Sequence, residues 1–233
     1  MTQTLDARRL GPGAADRRTT RIGAGFGIAG VVLMATGFAV AAATETTIAS
    51  APSEVAAFYT EAGLARTLTG GLIEVLGLVF FLPFAAMLTT RLQTPGLAAD
   101  LLAPTARMAA TVYVAICLAP GMSAGAAALW LAHHGTPDPA ILTALNGLRA
   151  LSYFVALVAF ALFLAAAGYA GSVTGRLPRW AASSAMVLGV VLAAAVPLAG
   201  YDAADLVALL GLAWVVAVSV SLLRRPVPSS PGE

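Results

Sequence analysis

The most unusual chemical group in this sequence is the carboxyl group of Glu74. It is the only charged side chain within the apolar run 67–90. A carboxylate in the hydrocarbon of a membrane costs several kcal/mol, so such residues often couple the movement of protons or cations. We expect its partners at a similar depth to be Arg149, Tyr153 and Ser123. The alternative is structural: a protonated or paired Glu74 fixes the register of neighbouring helices.

Two arginines, Arg66 and Arg149, stand at the ends of apolar runs, on the side of the predicted membrane domain that holds few basic residues. A guanidinium group in this position can bind an anionic lipid head group or an anionic substrate. It can also snorkel, with its stem in the apolar region and its charge in water, and Arg149 can pair with Glu74. Both arginines are therefore candidate ligand or lipid contacts on the outer face.

His133, His134 and Asp138 form the one cluster that resembles a metal site. Adjacent histidines on a helix point about 100° apart, and no Glu or Cys nearby completes a tetrahedral set. The sequence therefore predicts no metal. It also contains no Ser-His-Asp order, no zinc helix motif and no phosphate loop, so we expect neither catalytic residues nor a cofactor.

Glycines are placed for close helix packing. The segment Gly25–Gly30 matches the dinucleotide pattern G-x-G-x-x-G, but no strand precedes it and an apolar run contains it. The better interpretation is a small-residue seam that lets another helix approach closely. The seam of the first apolar run consists of Gly23, Gly27, Gly30 and Gly37. A second pair of glycines, in the third run, consists of Gly121 and Gly125. Such seams can face the same bundle or a second subunit, so a homo- or hetero-oligomer is left open.

The composition is that of a membrane protein. Of 233 residues, 59% are hydrophobic and 10% are charged, and the mean hydropathy is +0.87. A soluble domain carries about 25% charged residues, because its surface must be wetted. We therefore expect the surface of this chain to face the lipid bilayer. The net charge of +2 gives no support for a nucleic-acid partner.

Six segments are long and apolar enough to span a bilayer, for which a helix needs about 20 residues. They are residues 22–44, 67–90, 108–132, 150–171, 181–200 and 206–223. We therefore predict an all-α polytopic bundle over residues 21–223, with 1–20 and 224–233 as disordered polar tails. The first run is too long for the core of an ordinary signal peptide, which favours a signal anchor over a cleaved leader.

The arginines predict the orientation. If the N-terminus is cytoplasmic, eleven of the thirteen arginines lie inside, and only Arg66 and Arg149 lie outside. This asymmetry fits the positive-inside rule and predicts that both termini are cytoplasmic. We expect the chain in the cytoplasmic membrane.

Prolines mark the ends and the interruptions of helices. Pro52-Ser53 and Asp138-Pro139 each predict a helix start, outside the second and fourth spans. Pro120-Gly121, near the middle of the third span, is the predicted helix break.

Three segments of the sequence resemble a group of bacterial six-helix membrane proteins that share a domain of unknown function. They are EVAAFYTEAGLAR at 54–66, RLPRW at 176–180 and the final LAWVVAVSVSLLRRP. The likeness covers roughly residues 20–225. It implies a six-helix membrane fold and assigns no functional residues.

These observations favour a structural or accessory membrane protein that acts through helix contacts. The alternative is a small transporter or channel, in which Glu74 couples transport and the break at Pro120 lines the path. A membrane enzyme is not predicted, because no catalytic set is visible.

Overall fold

The computed structural model of the chain describes residues 12–41, 46, 49–135, 138–198 and 200–224. Every regular element in these ranges is a helix: α1 Pro12–Ala41, α2 Pro52–Glu61, α3 Leu64–Leu92, α4 Ala103–Ile116, α5 Ser123–His134, α6 Pro139–Thr174, α7 Arg179–Leu198 and α8 Gly200–Arg224. Two π-helical segments, Ala98–Leu102 and Cys117–Met122, lead into α4 and α5.

Six helical stretches are long and apolar enough to cross a membrane, which confirms the predicted all-α fold with six spans. They are Arg17–Ala41, Leu64–Leu92, Asp100–His134, Pro139–Thr174, Arg179–Pro197 and Ala204–Arg224. The third span joins α4, the second π-helical segment and α5. The short α2 lies outside the spans, where the proline at 52 predicts a helix start.

The helices extend beyond the apolar runs of the sequence. The first begins at Pro12, inside the segment predicted as a tail, and the fourth begins at Pro139 instead of residue 150. Hydropathy detects only the part of a helix that crosses hydrocarbon, whereas the helix itself continues into the polar interface. Asp138 caps α6, because its carboxylate accepts a hydrogen bond from the Ala140 N–H at 2.8 Å. Residues 1–11, 42–44 and 225–233 of the predicted tails and first span lie outside the described residues.

The six spans form a closed ring. In chain order each span packs against the next, and α8 returns to pack against α1. The fourth span, α6, lies nearest the centre, because 61% of its apolar window is buried, compared with 28–44% for the others. It ends where Gly175 takes a left-handed φ of 63°, a conformation that favours glycine after a helix.

The glycine seam of α1 is filled by helices of the same chain. A Cβ atom on Gly37 would lie 2.6 Å from the backbone of α3, and one on Gly30 would lie 3.0 Å from the Gly77 carbonyl oxygen. Gly27 faces Phe84 and Ser219, and Gly23 faces Met87. The seam therefore joins α1 to α3 and α8 within one bundle.

The second glycine pair faces α6. A Cβ atom on Gly125 would lie 3.1 Å from the Arg149 Cδ atom, and one on Gly121 would lie 3.8 Å from the Ser152 Cβ atom. These glycines make room for side chains of α6.

Aromatic rings fill the centre of the ring of helices. Phe81 packs against the rings of Tyr113 and Phe163, with centroids 5.7 and 5.2 Å apart, and Tyr113 stacks on Phe160 at 5.0 Å. The phenylalanines of this cluster are buried. Phe160 also reaches α8, where its ring lies against Gly211. The cluster thus joins α3, α4, α6 and α8 through apolar contacts.

Pro120 widens the third span without breaking it. Proline has no N–H and cannot donate to the carbonyl four residues earlier, so the helix there needs another hydrogen-bond pattern. The chain becomes π-helical over Cys117–Met122, and the Ser123 hydroxyl donates to the Leu118 carbonyl at 3.3 Å. Such single π-helical turns are frequent at functional sites.

The seam predicts that alanine substitutions at two glycines of α1 differ in their effect on stability. Gly37→Ala forces a methyl group into the backbone of α3, so we expect a loss of about 1–3 kcal/mol of stability. Gly25 is the matched control, because a Cβ atom there meets nothing within 4 Å. Thermal unfolding of the purified protein in detergent measures both. Equal melting temperatures for the two variants would contradict the packing of α1 on α3.

Candidate functional site

Several hydrogen bonds between the described helices lie at the two ends of the bundle. We call the end that holds Arg91 and Arg107 the arginine-rich face, and the end that holds Arg66 and Arg149 the opposite face. At the arginine-rich face Arg91 donates to the Thr20 hydroxyl, which ties α3 to α1. Arg107 donates to the hydroxyls of Thr89 at 3.2 Å and Thr90 at 2.8 Å, which ties α4 to α3. These arginines therefore hold the helix ends together.

At the opposite face Arg66 has a similar role. Its Nε donates to the Val40 carbonyl at 2.7 Å, close to the end of α1. The last carbonyls of a helix lack partners in the helix itself, so a donor from a neighbouring helix stabilises the end. The structure thus gives Arg66, predicted as a ligand or lipid contact, a bond to the backbone of α1.

Arg149 is the centre of the most polar cluster. Its Nη2 donates to the Thr46 carbonyl at 2.8 Å and lies 3.3 Å from the Asn146 Oδ1 and 3.4 Å from the Thr46 hydroxyl. The same Asn146 Oδ1 accepts from the Thr46 hydroxyl at 2.8 Å and from the Tyr59 hydroxyl at 3.3 Å. Thr46, Tyr59 and Asn146 are buried. One amide oxygen therefore gathers donors from α2, from α6 and from the segment before α2. We call these four residues the Arg149 cluster.

The short helix α2 covers this cluster. Glu54 stabilises its first turn, because its carboxylate accepts a hydrogen bond from the Ala51 N–H at 3.0 Å. The inner side of α2 is apolar and packs on α5 and α6. The buried residues of this contact are Val55, Tyr59, Ala62, Ala128, Leu129 and Leu142. The position of Tyr59 over Asn146 is therefore fixed by apolar packing on both sides.

The electrostatics of the cluster are dominated by one positive charge. Burial raises the pKa of the Tyr59 hydroxyl, and the positive charge of Arg149 opposes that rise. Tyr59 is therefore a neutral donor at physiological pH. All described hydrogen bonds of Arg149 go to neutral oxygens, and its Nε is buried without a hydrogen-bond partner.

The three residues predicted as partners of Glu74 also make hydrogen bonds of their own. The Tyr153 hydroxyl donates to the Asp205 carboxylate at 2.7 Å, which joins α6 to α8. Arg149 donates to Thr46 and Asn146, and the Ser123 hydroxyl bonds its own helix.

Glu74 also has neighbours in the third span. Its backbone packs on Gly37 of α1. Its carboxyl group lies within electrostatic range of Tyr113 and Cys117, at the start of the π-helical segment. Two polar side chains one turn apart in the third span, beside Pro120, are the signal that could have found them.

The histidine cluster makes local contacts. The Nδ1 atoms of His133 and His134 lie 3.0 Å from the Leu129 and Trp130 carbonyl oxygens of their own helix. The His134 ring also stacks on Trp130 with centroids 3.6 Å apart. Asp138 serves as the cap of α6. Each of the three side chains therefore has a structural partner of its own.

The cluster around Arg149 contains residues that sequence analysis misses. Thr46 and Tyr59 have no recognisable motif. Asn146 does carry a signal, because it is the only asparagine of the chain and stands three residues before Arg149 in an apolar helix. Side chains three residues apart lie on the same helix face, so the two polar groups could be paired from the sequence alone.

The cluster predicts that Asn146→Ala loosens α2. Three donors lose their shared acceptor, which costs about 1–3 kcal/mol when a buried group is left unsatisfied. We expect a cysteine placed at the buried Val55 to react faster with a maleimide in the Asn146→Ala background, with Cys117 replaced by serine in all variants. A cysteine at the exposed Glu61 is the control and should react equally in both backgrounds. An unchanged rate at position 55 would show that Asn146 does not hold α2.

In comparisons with known proteins, no protein-family model, curated protein or solved structure matches this chain.

Proposed function

We propose that this chain is a multi-pass protein of a bacterial cell membrane that acts as a structural or accessory component. The main support for this proposal is where apolar and polar side chains lie in the bundle. The centre of the helix ring holds phenylalanine rings, whereas the hydrogen bonds between described helices lie mainly at the two ends. A conduit for ions or polar solutes needs polar groups or water along its path.

The proposal extends to the orientation of the chain in the membrane and to its partners. We infer that the arginine-rich face is cytoplasmic, with both termini, because arginines concentrate in short loops on that side. The bilayer is the first partner, since large apolar side chains such as Leu72, Met108 and Val190 are exposed on the outside of the ring. A protein partner would meet these lipid-facing surfaces, because α3 and α8 already fill the seam of α1. The resemblance to bacterial six-helix membrane proteins supports this proposal without adding an activity.

A second function is favoured by one observation. Glu74 lies near Tyr113 and Cys117 at a π-helical turn, which is an arrangement that a proton- or cation-coupled transporter could use. Intramembrane carboxylates often mark such pathways.

Flux through proteoliposomes separates the two functions. We expect vesicles that contain the wild-type protein to dissipate imposed proton and sodium gradients no faster than protein-free vesicles. The Phe81→Ala, Phe160→Ala double variant is the positive control, because it removes two aromatic side chains from the centre of the bundle and should increase leakage. Wild-type flux that disappears in a folded Glu74→Gln variant would replace the structural proposal with the transporter.

Orientation is tested by labelling in intact cells. With Cys117 replaced by serine, we expect Ser53→Cys to react with a membrane-impermeant maleimide. Thr174→Cys, at the arginine-rich face, should react only after the membrane is permeabilised. The reverse pattern would invert the proposed topology.

A further inference from the structure

Arg149 differs from the other arginines that the structure describes at helix ends. A guanidinium group has five N–H donors and carries a full positive charge at any physiological pH. Its described bonds all start from Nη2 and end on the carbonyl and hydroxyl of Thr46 and on the Asn146 amide oxygen. Within the described part of the chain no carboxylate pairs with it. The Nε atom is buried and lacks an acceptor.

This geometry holds the guanidinium group in place. The aliphatic stem of Arg149 lies against Gly125, where even a methyl group would be 3.1 Å from Cδ. The Asn146 oxygen and the Thr46 carbonyl then fix Nη2 from the other side. A snorkelling arginine extends freely into water, whereas this one is directed into a cluster whose other members are buried. A fixed cation whose described partners are all neutral oxygens favours an anionic partner, because removing a charge from water without a counter-charge is costly.

We propose that Arg149 binds an anionic group with paired oxygens, a carboxylate or a phosphate, at the opposite face of the bundle. Both groups match the planar fork of arginine and accept two parallel hydrogen bonds from it. The terminal nitrogens of the guanidinium group would supply both donors, because the Nε atom itself is buried. Asn146 acts as a positioning residue, because it contacts Arg149 and not the ligand.

The environment of the cluster adds to this assignment. Tyr59 is a neutral side chain beside the cation, so it brings no negative charge that would already balance Arg149. The site lies where α2 meets the end of a membrane span. Two sources of the same chemistry reach this depth: the phosphate of an anionic lipid head group, and a soluble anion from the aqueous side. The inference is independent of the accessory role, since a binding site of this kind suits either proposed function.

The test is thermal unfolding of the full-length protein in neutral detergent with defined anions. One arm compares phosphatidylglycerol with phosphatidylcholine in mixed micelles. The second arm compares inorganic phosphate and acetate with chloride at equal ionic strength. A ligand that binds only the folded protein raises the melting temperature, and a concentration of 100 times Kd should raise it by about 5–10 °C. A shift with phosphatidylglycerol alone assigns a lipid, and a shift with phosphate or acetate assigns a soluble anion.

Three variants decide whether Arg149 is responsible. Arg149→Gln removes the charge and should abolish the shift. Arg149→Lys keeps a positive charge without the planar fork and should weaken binding at least about tenfold. Arg66→Gln is the matched control, because it removes an arginine from the same face whose Nε already donates to Val40. It should leave the shift intact.

Two results would overturn the proposal. One is a wild-type melting temperature that no tested anion raises above its chloride or phosphatidylcholine reference. The other is that Arg149 has no effect of its own. In that case the shift in melting temperature is equal in wild type and Arg149→Gln, or it is lost equally in Arg149→Gln and Arg66→Gln. If Arg149→Gln does not fold, Arg149→Lys and Gly125→Ala take its place, since Gly125→Ala displaces the arginine stem and leaves the charge. An unchanged shift in both would also overturn the proposal.

Discussion

The close approach of α1 and α3 is the contact on which the rest of the bundle depends. Lipid tails are as apolar as the sides of a spanning helix, so the hydrophobic effect does not drive helices together inside a bilayer. Packing must do so, and it is strongest where backbones meet directly. Gly30 and Gly77 provide one such meeting point, and Gly37 and Gly70 provide another. With α1 fixed in this way, α8 packs against it beside Gly27 and closes the ring.

Polar chemistry complements this packing at the ends of the spans. Arg91 and Arg107 donate to threonine hydroxyls of neighbouring helices, and Arg66 donates to a carbonyl of α1. The arginines that orient a membrane protein thus also bond its helices to each other. Arg149 departs from this pattern, because its neutral partners position the charge without balancing it. Hydrogen bonds to neighbouring helices therefore explain the other arginines, whereas the unbalanced charge of Arg149 suits the anion binding that we propose.

Much of this fold can be predicted from the sequence, because the bilayer imposes a length on each apolar run. The number of spans, the start of α2 at Pro52 and the cap at Asp138 all follow from local patterns. The partners of Glu74 and Arg149 do not. Depth along a helix narrows the choice of partner, but the rotation of each helix decides which side chains meet. Tyr153 and Glu74 lie at a comparable depth, yet Tyr153 bonds Asp205 on α8. The glycine seam shows the same limit: its small residues predict close packing, whereas only the structure identifies α3 as the helix that fills it.

We expect the middle of the bundle to exclude water, because the buried side chains that the structure describes there are mainly aromatic and aliphatic. The most direct measurement is the reaction rate of buried cysteines with a small charged thiol reagent, with Cys117 replaced by serine. Val114→Cys and Leu157→Cys lie beside the aromatic cluster, and Ser53→Cys at the exposed start of α2 is the reference. We expect rapid modification at position 53 and negligible modification at positions 114 and 157 from either side of the membrane. Rapid modification of either buried cysteine would show that water reaches the centre of the bundle and would contradict this expectation.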